Sequence, residues 1–358
     1  MKNLVDILDL SVAEIDRLME TAEDISSHPE KYEDAMKHKT LATLFFEPST
    51  RTRLSFETAM LSLGGNAVGF SDAGTSSATK GETLADTIEV VSGYADLIAM
   101  RHPREGAPYV AIAHSSVPII NAGDGGHFHP TQTLADLLTV KREKGRLDHL
   151  KIGFCGDLKY GRTVHSLISA MARYEGTELV LISPPELALP DFVMKETVKA
   201  QGIPCTVSTS LEEVIGDLDV LYMTRVQKER FADLAEYERL KDSYVLDGKK
   251  LGMAKPETIV LHPLPRVNEI TTDVDRDSRA CYFKQTRNGK LMRMALILKL
   301  MAERDSADAE RQRGTTVAGA WHCSNPHCVT GSERSLPSRF YRDGNGTVRC
   351  GYCDGIVG

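Results

Sequence analysis

Short apolar runs that alternate with stretches of helical periodicity constrain the fold of this chain more than any other feature. Nine runs read as strands, bounded by polar or glycine-rich turns: 41–46, 67–70, 96–100, 117–121, 151–155, 179–183, 204–207, 219–223 and 259–261. The stretches with helical spacing are 51–63, 82–93, 106–114, 129–145, 162–174, 191–201, 211–216 and 287–303. Strands separated by helices form parallel sheets covered on both faces. The sequence therefore predicts an α/β fold with parallel sheets flanked by helices.

The strands fall into two series, and 358 residues are too many for one typical core, so two domains are expected. Residues 1–132 form the first, completed by the C-terminal helix 287–303, and residues 133–286 form the second. A charged stretch, 304–320, is expected to be a linker to a small module, 321–358.

Composition excludes several classes of protein. Hydrophobic residues make up 41% of the chain and charged residues 26%, as in ordinary globular proteins. A net charge of -7 offers no general attraction to nucleic acid or to anionic lipid. No apolar run approaches the roughly 18 residues of a membrane span. The N-terminus lacks the features of a secretory signal, so a cytoplasmic protein is expected.

The cysteines point to a metal site. Four of the seven lie in the last 36 residues, as two pairs: Cys323 with Cys328, and Cys350 with Cys353. An odd total and pairwise clustering favour metal ligation over a disulfide framework. Two thiolate pairs make a closed tetrahedral site for structural zinc, which would supply folding energy to so small a module. The alternative is that these cysteines are oxidised or idle.

The segment 45–57 predicts an anion site. A strand ends there and a helix begins near Thr50, with Ser49 suited to the N-cap. Unpaired backbone N–H groups at a helix start attract anions. Hydroxyls at Ser49, Thr50 and Thr52 add donors, and the Arg51 guanidinium suits a phosphate. The alternative is an ordinary capped helix with solvated arginines.

Polar groups follow other strands in the same way. Arg101 follows one strand, and His129 and Gln132 follow the glycine-rich loop after the next. Ligands in open α/β sheets bind outside the carboxyl ends of strands, so these groups are expected to converge. In the second domain Arg162 and Arg225 each follow a strand and suit a dicarboxylate, although a lone arginine is more often solvated or ion-paired.

Four stretches together resemble the aspartate/ornithine carbamoyltransferase family, over about residues 1–303. They are Ser-Thr-Arg-Thr-Arg (49–53), Lys-Gly-Glu-Thr (80–83), His-Pro-Thr-Gln (129–132) and His-Pro-Leu-Pro-Arg (262–266). The resemblance implies carbamoyl transfer from carbamoyl phosphate to the α-amine of aspartate, a step of pyrimidine biosynthesis. It implies that carbamoyl phosphate is bound by Ser49, Thr50, Arg51, Thr52, Arg101, His129 and Gln132, with Leu264 and Pro265 alongside through backbone groups.

The resemblance favours the aspartate branch of the family. It implies that Arg162, Arg225 and Gln227 hold the aspartate carboxylates. Leu264 stands where the ornithine branch usually has cysteine. A transcarbamoylase acting on another amine is the rival within the enzyme class.

The same resemblance implies that the loop 71–81 reaches a neighbouring subunit, so that Ser76 and Lys80 act in trans in a homotrimer or a multiple of it. Thr79 and Asn268 depart from residues that some relatives carry, a second lysine and an aspartate.

The expected catalytic residues are Arg51, Thr52, Arg101 and His129, which are placed to stabilise the charge of a tetrahedral intermediate, and Lys80, which with Arg51 would stabilise the leaving phosphate. No metal is needed for this chemistry.

The C-terminal tail resembles the zinc domain of the regulatory chain of aspartate carbamoyltransferase. The effector-binding nucleotide domain of that chain is not expected here, because only about 15 linker residues precede the module. The rival from another class is a silent scaffold whose zinc module binds nucleic acid or protein. Residues 321–358 hold four arginines, no lysine and three acids, a weak charge for nucleic acid.

Overall fold

The alternation of strands and helices builds two parallel sheets, each within its own structural unit of a computed structural model. The structure describes residues 3–75, 77–226, 233–304, 314–319, 321–333 and 336–357. Residues 1–131 and 290–358 form the first unit, and residues 132–289 form the second.

The first unit contains a four-stranded sheet in the order β2-β1-β3-β4, all parallel. Its strands are β1 (Thr40–Phe45), β2 (Asn66–Phe70), β3 (Leu97–His102) and β4 (Ile119–Asp124). Its helices are α1 (Val12–Ser27), α2 (Thr50–Ser62), α3 (Leu84–Ser92) and α4 (Ala107–His114). Strands β1, β3 and β4 are buried almost throughout, as expected for strands of a parallel sheet covered on both faces. The edge strand β2 is largely exposed.

The second unit contains a five-stranded parallel sheet in the order β7-β6-β5-β8-β9. The helix α5 (Pro130–Lys144) leads into it. The strands are β5 (Lys151–Cys155), β6 (Glu178–Ile182), β7 (Cys205–Ser208), β8 (Val220–Met223) and β9 (Ile259–Leu261). The helices are α6 (Arg162–Met171), α7 (Asp191–Val193), which continues as a π-helical turn (Met194–Lys199), α8 (Leu234–Leu240), α9 (Gly248–Leu251) and α10 (Tyr282–Ala302).

The last part of α10 belongs to the first unit. There Lys299 Nζ lies 3.1 Å from Glu14 Oε1 of α1, and Arg293 Nη1 donates to Ser55 Oγ of α2 at 3.1 Å. These contacts attach the C-terminal end of the helix to the elements that begin the chain.

Each parallel sheet has a point at which the strand order reverses. In the first sheet it lies between β1 and β3, and in the second between β5 and β8. The connections leave such a pair of strands in opposite directions, so a crevice opens at their carboxyl ends, where ligands of open α/β sheets bind. Residues that directly follow these four strands are therefore the first candidates for ligand contacts.

A small antiparallel sheet follows in the C-terminal module, with strands β10 (Thr315–Thr316), β11 (Phe340–Arg342) and β12 (Val348–Cys350). Its first strand lies within the segment 304–320 that was expected to be a linker. Phe340, Val348 and Tyr352 of the module share one hydrophobic cluster with Ala107 and Val110 of α4. The module thus packs against α4, within the same structural unit.

All nine strands predicted from the apolar runs are confirmed, with ends shifted by three residues or fewer. The helix predicted over 211–216 is wrong: a turn there leads into a 3-10 turn, Ile215–Asp217. Leu211 and Ile215 are buried, as helical spacing suggested, but a short turn buries the same pair. The last helix begins five residues earlier than 287, because its first turns are mostly polar and hide the periodicity.

Helix α1 was not predicted, although its signal is present. Ser11 and Glu14 form a capping box, a sequence signature of helix starts. The face that follows buries Ile15, Leu18 and Met19. Among the residues that the structure describes, no helix is long and apolar enough to span a membrane.

Candidate active site and metal centre

The predicted anion site lies at the carboxyl end of β1, beside the point where the first sheet reverses. Ser49 is the N-cap residue of α2, yet its hydroxyl lies 3.1 Å from Thr52 Oγ1 and caps no backbone N–H group of the helix. Thr50 and Arg51 are exposed in the first turn, and Thr52 is buried. The first turn of α2 thus places the positive end of the helix dipole and an exposed guanidinium at the carboxyl end of β1, features that attract anions.

Arg101 lies directly beside this turn, because β3 pairs with β1 and Arg101 is in register with Phe45. Its Nη2 atom is 2.7 Å from Glu47 Oε2, and its side chain is only 12% exposed. Glu47 is thus one partner of this nearly buried guanidinium. Sequence reasoning missed Glu47, although the residue stands inside the segment 45–57.

His129 is held by a loop built on the buried carboxylate of Asp124, the last residue of β4. Oδ1 accepts from Asn121 Nδ2 (2.8 Å) and from the backbone N–H of Phe128 (3.1 Å), while Oδ2 accepts from the N–H of Gly106 (2.9 Å). The loop thus has a defined course up to His129, which is buried just before α5. The sequence showed only a glycine-rich loop here.

Lys80 ends the 3-10 turn Ser77–Lys80 and is exposed. Ser76, predicted to act with it, lies outside the described residues. The chain then enters α3, whose N-cap Thr83 accepts from the N–H of Asp86. Lys80 therefore stands on a surface segment that is anchored three residues further along.

The two arginines predicted to bind a dicarboxylate lie at neighbouring strand ends of the second unit, where that sheet reverses. Arg162 begins α6 after β5, and Arg225 follows β8. The two connections are joined by a buried hydrogen bond from the N–H of Asp157 to Thr224 Oγ1, 2.9 Å long. Both arginines are half-buried. Gln227, predicted to act with them, lies outside the described residues.

Leu264 and Pro265 follow β9, the next strand of the sheet. Leu264 has a positive φ of 53°, which is uncommon for a side chain of this kind. Its N–H donates to His262 Nδ1 at 2.8 Å, and His262 Nε2 lies 2.7 Å from Glu269 Oε1. Glu269 Oε2 in turn accepts from the N–H of Val267 at 3.0 Å. The buried pair of His262 and Glu269 therefore holds this turn in one conformation.

The four cysteines of the C-terminal module meet in one cluster, with all sulfur atoms within 4.8 Å of one another. Cys323 Sγ is 3.5 Å from Cys353 Sγ, and Cys328 Sγ is 3.9 Å from Cys350 Sγ. A disulfide needs about 2.05 Å, whereas tetrahedral zinc with bonds of about 2.3 Å separates its sulfur ligands by about 3.8 Å. The donor set and its spacing fit a structural metal ion.

The module contacts the rest of the first unit through the segment that follows β3. The N–H of Glu105 donates to the carbonyl of His327, and the N–H of Val329 donates to the carbonyl of Glu105, each at 2.9 Å. Asn325 Nδ2 donates to Glu105 Oε2 at 2.6 Å. Gly106 makes the close approach possible: its φ is +83°, and a Cβ there would lie 2.7 Å from the backbone of Tyr352.

The module makes two further contacts, one close in sequence to Lys80 and one close to His129. Glu333 Oε1 of the module accepts from the N–H of Leu84, four residues after Lys80, at 3.2 Å. His127, two residues before His129, lies between Asp124 (3.1 Å) and Asp354 of the module (3.3 Å). Burial lowers the pKa of His127, but the two carboxylates raise it more, so that it lies well above its usual value.

His127 therefore joins two carboxylates, one on each side of the module boundary. The module thus contacts the chain within four residues of Lys80, Arg101 and His129, at Leu84, Glu105 and His127. Sequence reasoning missed Glu105, His127 and Glu333, because each is an ordinary polar residue outside the motifs.

Comparison with known proteins places these features in a class of two-domain α/β transferases. Family models match three successive parts of the chain. They describe the carbamoyl-P binding domain (residues 2–142) and the Asp/Orn binding domain (148–300) of aspartate/ornithine carbamoyltransferase, and the metal binding domain of the aspartate carbamoyltransferase regulatory chain (315–358). The chain belongs to the aspartate/ornithine carbamoyltransferase family.

Three relatives are named for the aspartate branch of the family. The aspartate carbamoyltransferase catalytic subunit of Lachnoclostridium phytofermentans is 60% identical over 301 residues, which are 84% of this chain and 98% of the relative. The catalytic subunit of M. jannaschii aspartate transcarbamoylase has a TM-score of 0.80 at 48% identity, covering 86% of this chain and all of that one. Aspartate transcarbamoylase from Trypanosoma cruzi, in complex with N-(phosphonacetyl)-L-aspartic acid, has a TM-score of 0.79 at 39% identity, covering 84% and 95%.

Proposed function

We propose that this chain transfers the carbamoyl group of carbamoyl phosphate to the α-amine of L-aspartate, giving N-carbamoyl-L-aspartate and phosphate. The observation that carries the proposal is the placement of cationic groups at both points of strand reversal, Arg51 and Arg101 in one sheet and Arg162 and Arg225 in the other. Relatives named for this activity support it. The product is a precursor of pyrimidines, and we place the reaction in the cytoplasm.

Residues of both units have roles in the proposal. The phosphate and carbonyl oxygens of carbamoyl phosphate are bound by Ser49, Thr50, Arg51, Thr52, Arg101 and His129. The carbamoyl NH₂ group is bound by Gln132 and by backbone groups of Leu264 and Pro265. Arg162, Arg225 and Gln227 bind the aspartate carboxylates. Ser76 and Lys80 are supplied by a neighbouring chain.

The chemistry requires positioning and charge stabilisation. The uncharged amine of aspartate attacks the carbonyl carbon, and negative charge develops on the carbonyl oxygen. Arg51, Thr52, Arg101 and His129 stabilise this charge as preorganised donors. The bond from carbon to the phosphate oxygen then breaks, phosphate leaves with the electron pair, and the amine proton passes to the phosphate. Lys80 and Arg51 stabilise the departing phosphate.

The proposed metal is zinc, held by Cys323, Cys328, Cys350 and Cys353 as a structural ion. A site of four thiolates in closed tetrahedral geometry suits zinc. Thr330 Oγ1 donates to Cys328 Sγ at 3.2 Å, a contact that orients one ligand. The ion has no part in carbamoyl transfer and supplies folding energy to the module.

The proposed assembly is a homotrimer or a multiple of it. One surface of the first unit supports it: Leu54 and Leu61 on α2 and Val68 on the edge strand β2 are 53%, 58% and 50% exposed. Exposed edge strands and clustered apolar side chains are features that assembly covers. A neighbour on this surface would bring a second chain close to the anion site at the start of α2.

A substrate comparison tests the proposed activity. Purified protein with carbamoyl phosphate should produce N-carbamoyl-aspartate and phosphate from aspartate with no added cofactor. Ornithine and acetylated ornithine, offered at the same concentration, should give at most a small fraction of that rate, since two arginines suit a dicarboxylate and Leu264 replaces the cysteine of the ornithine branch. A higher rate with either of these amines would overturn the assignment to aspartate.

A mixing experiment tests the shared site. Lys80→Ala chains and Arg51→Ala chains should each be nearly inactive. A trimer that contains both kinds has one junction at which an intact Arg51 meets an intact Lys80, so mixed and reassembled chains should regain up to a third of the parental activity. Unmixed variants taken through the same procedure are the control. Verified hybrids that stay inactive would show that Lys80 acts within its own chain.

A further inference from the structure

Asp136, on the second turn of α5, is the centre of a buried network that the proposed mechanism does not use. Its carboxylate is fully buried. Oδ1 accepts from Gln132 Nε2 at 2.7 Å and also from Gln285 Nε2, and Oδ2 accepts from the Tyr222 hydroxyl at 3.0 Å. All four residues belong to the second unit. A carboxylate buried in this way needs hydrogen-bond donors, and three polar side chains supply them.

The network fixes the orientation of two side-chain amides. The oxygen of the Gln285 amide accepts from the backbone N–H of His262 at 3.1 Å, and that N–H can only donate, so the nitrogen of Gln285 faces Asp136. Gln132 likewise presents its NH₂ group to the carboxylate. Its carbonyl oxygen is therefore the end directed away from Asp136, and it is an acceptor.

The network also reaches the turn after β9. Gln285 holds the backbone of His262, and His262 Nδ1 accepts from the N–H of Leu264. One carboxylate thus positions both groups that are proposed to meet the carbamoyl NH₂: the amide oxygen of Gln132 directly, and the backbone at Leu264 through two intermediates.

We propose that Asp136 is a positioning residue that makes the enzyme select a carbamoyl group over an acetyl group. Carbamoyl phosphate and acetyl phosphate have nearly the same shape, but the first presents an NH₂ donor where the second presents a methyl group. An amide held with its oxygen toward the substrate accepts from NH₂ and gains nothing from CH₃. If the Gln132 amide could rotate by 180°, its own NH₂ group would face the carbamoyl NH₂ group part of the time, and two donors do not form a hydrogen bond. The inference rests on the proposed function.

The test is a substrate ratio: kcat/KM for carbamoyl phosphate divided by kcat/KM for acetyl phosphate, at saturating aspartate. With acetyl phosphate the amine nitrogen bonds to the acetyl carbon, the carbon–oxygen bond to phosphate breaks, and phosphate takes the amine proton, so N-acetyl-aspartate is measured. Both constants come from one preparation, so inactive molecules cancel in the ratio.

Asp136→Ala should lower this ratio about tenfold, the effect of one hydrogen bond to the substrate. Asp136→Asn keeps an oxygen that can accept from both glutamines and an NH₂ that can donate to Tyr222, so it should leave the ratio within about twofold of the parent. Tyr222→Phe removes a different partner of the same carboxylate and should also leave it unchanged. If the alanine variant does not fold, Asp136→Ser replaces it. The serine hydroxyl is polar, but it is one bond shorter than the carboxylate and therefore does not reach the amides of the two glutamines.

An unchanged ratio in both Asp136→Ala and Asp136→Ser would overturn the inference, as would an equal fall in Asp136→Asn, which would point to lost charge in place of orientation. These outcomes differ from failure of the proposed function. In that case the parent protein itself would form no N-carbamoyl-aspartate, whatever residue stands at position 136.

Discussion

Replacing Arg51 by alanine should reduce kcat by about 10²–10³-fold, the usual cost of removing one donor from a site that stabilises developing negative charge. Arg51 is exposed in the first turn of α2, so its side chain carries little of the packing of the first unit. The fold should survive, with an unchanged melting temperature. The measurement is steady-state formation of N-carbamoyl-aspartate, together with thermal unfolding of the same preparation.

Arg53 provides the matched control, because it stands two residues further along the same helix. Its Nε atom is 2.7 Å from Glu57 Oε1, and Glu57 also accepts from Thr43 Oγ1 at 2.9 Å. Arg53→Ala removes the same charge from nearly the same place but from a structural ion pair. It should cost far less in kcat than Arg51→Ala. Near-parental turnover in the Arg51 variant would contradict the proposed role of the anion site.

Replacing both Cys350 and Cys353 by serine should abolish metal binding and unfold the C-terminal module. Structural zinc contributes about 10–16 kcal/mol of folding free energy in zinc-finger peptides. The module has few large apolar side chains, so hydrophobic burial could not compensate for the loss of the metal. The first unit would lose the contacts of Glu105, Leu84 and His127 with the module. Its melting temperature should fall by about 6–12 °C, the shift expected for a loss of about 3 kcal/mol in a unit of this size.

The same variant should need more carbamoyl phosphate for half-saturation, because the segments next to Lys80, Arg101 and His129 lose a common support. Cys205→Ser is the control: Cys205 is a half-buried cysteine on β7 of the second unit and lies outside the cluster. The Cys205→Ser variant should have the same metal content, melting temperature and saturation curves as the parent protein. Full metal content and an unchanged melting temperature in the double variant would refute a metal-dependent module.

Local sequence was enough for much of this protein. Apolar runs bounded by turns placed all nine strands of the parallel sheets. The signal is strongest for the inner strands, which are buried on both faces and apolar along most of their length, whereas the edge strands β2 and β7 are largely exposed. The spacing of the cysteines was enough for the metal cluster, because two close pairs supply four ligands wherever the chain brings them together. Helix α1 could also have been predicted from its capping box, and the error at 211–216 shows that a single pair of apolar residues four apart does not distinguish a helix from a turn.

Other features depend on tertiary structure because they join residues far apart in sequence. Strand order decides where each sheet reverses, and it puts Arg101 beside Glu47, an ion pair that no local pattern contains. The packing of the module on its own chain depends on Gly106 and on backbone pairing at Glu105, which have no distinctive sequence signal.

The orientation of Gln132 is likewise set from a distance. Its motif identifies the residue, but an amide side chain has a donor end and an acceptor end, and sequence does not say which end faces a ligand. Asp136 decides it together with Gln285, which comes 149 residues later in the chain. Residue types and their spacing identified the side chains that could take part in chemistry. The fold decided which partners these side chains meet, because hydrogen bonds and ion pairs depend on distances of a few ångströms that only the folded chain establishes.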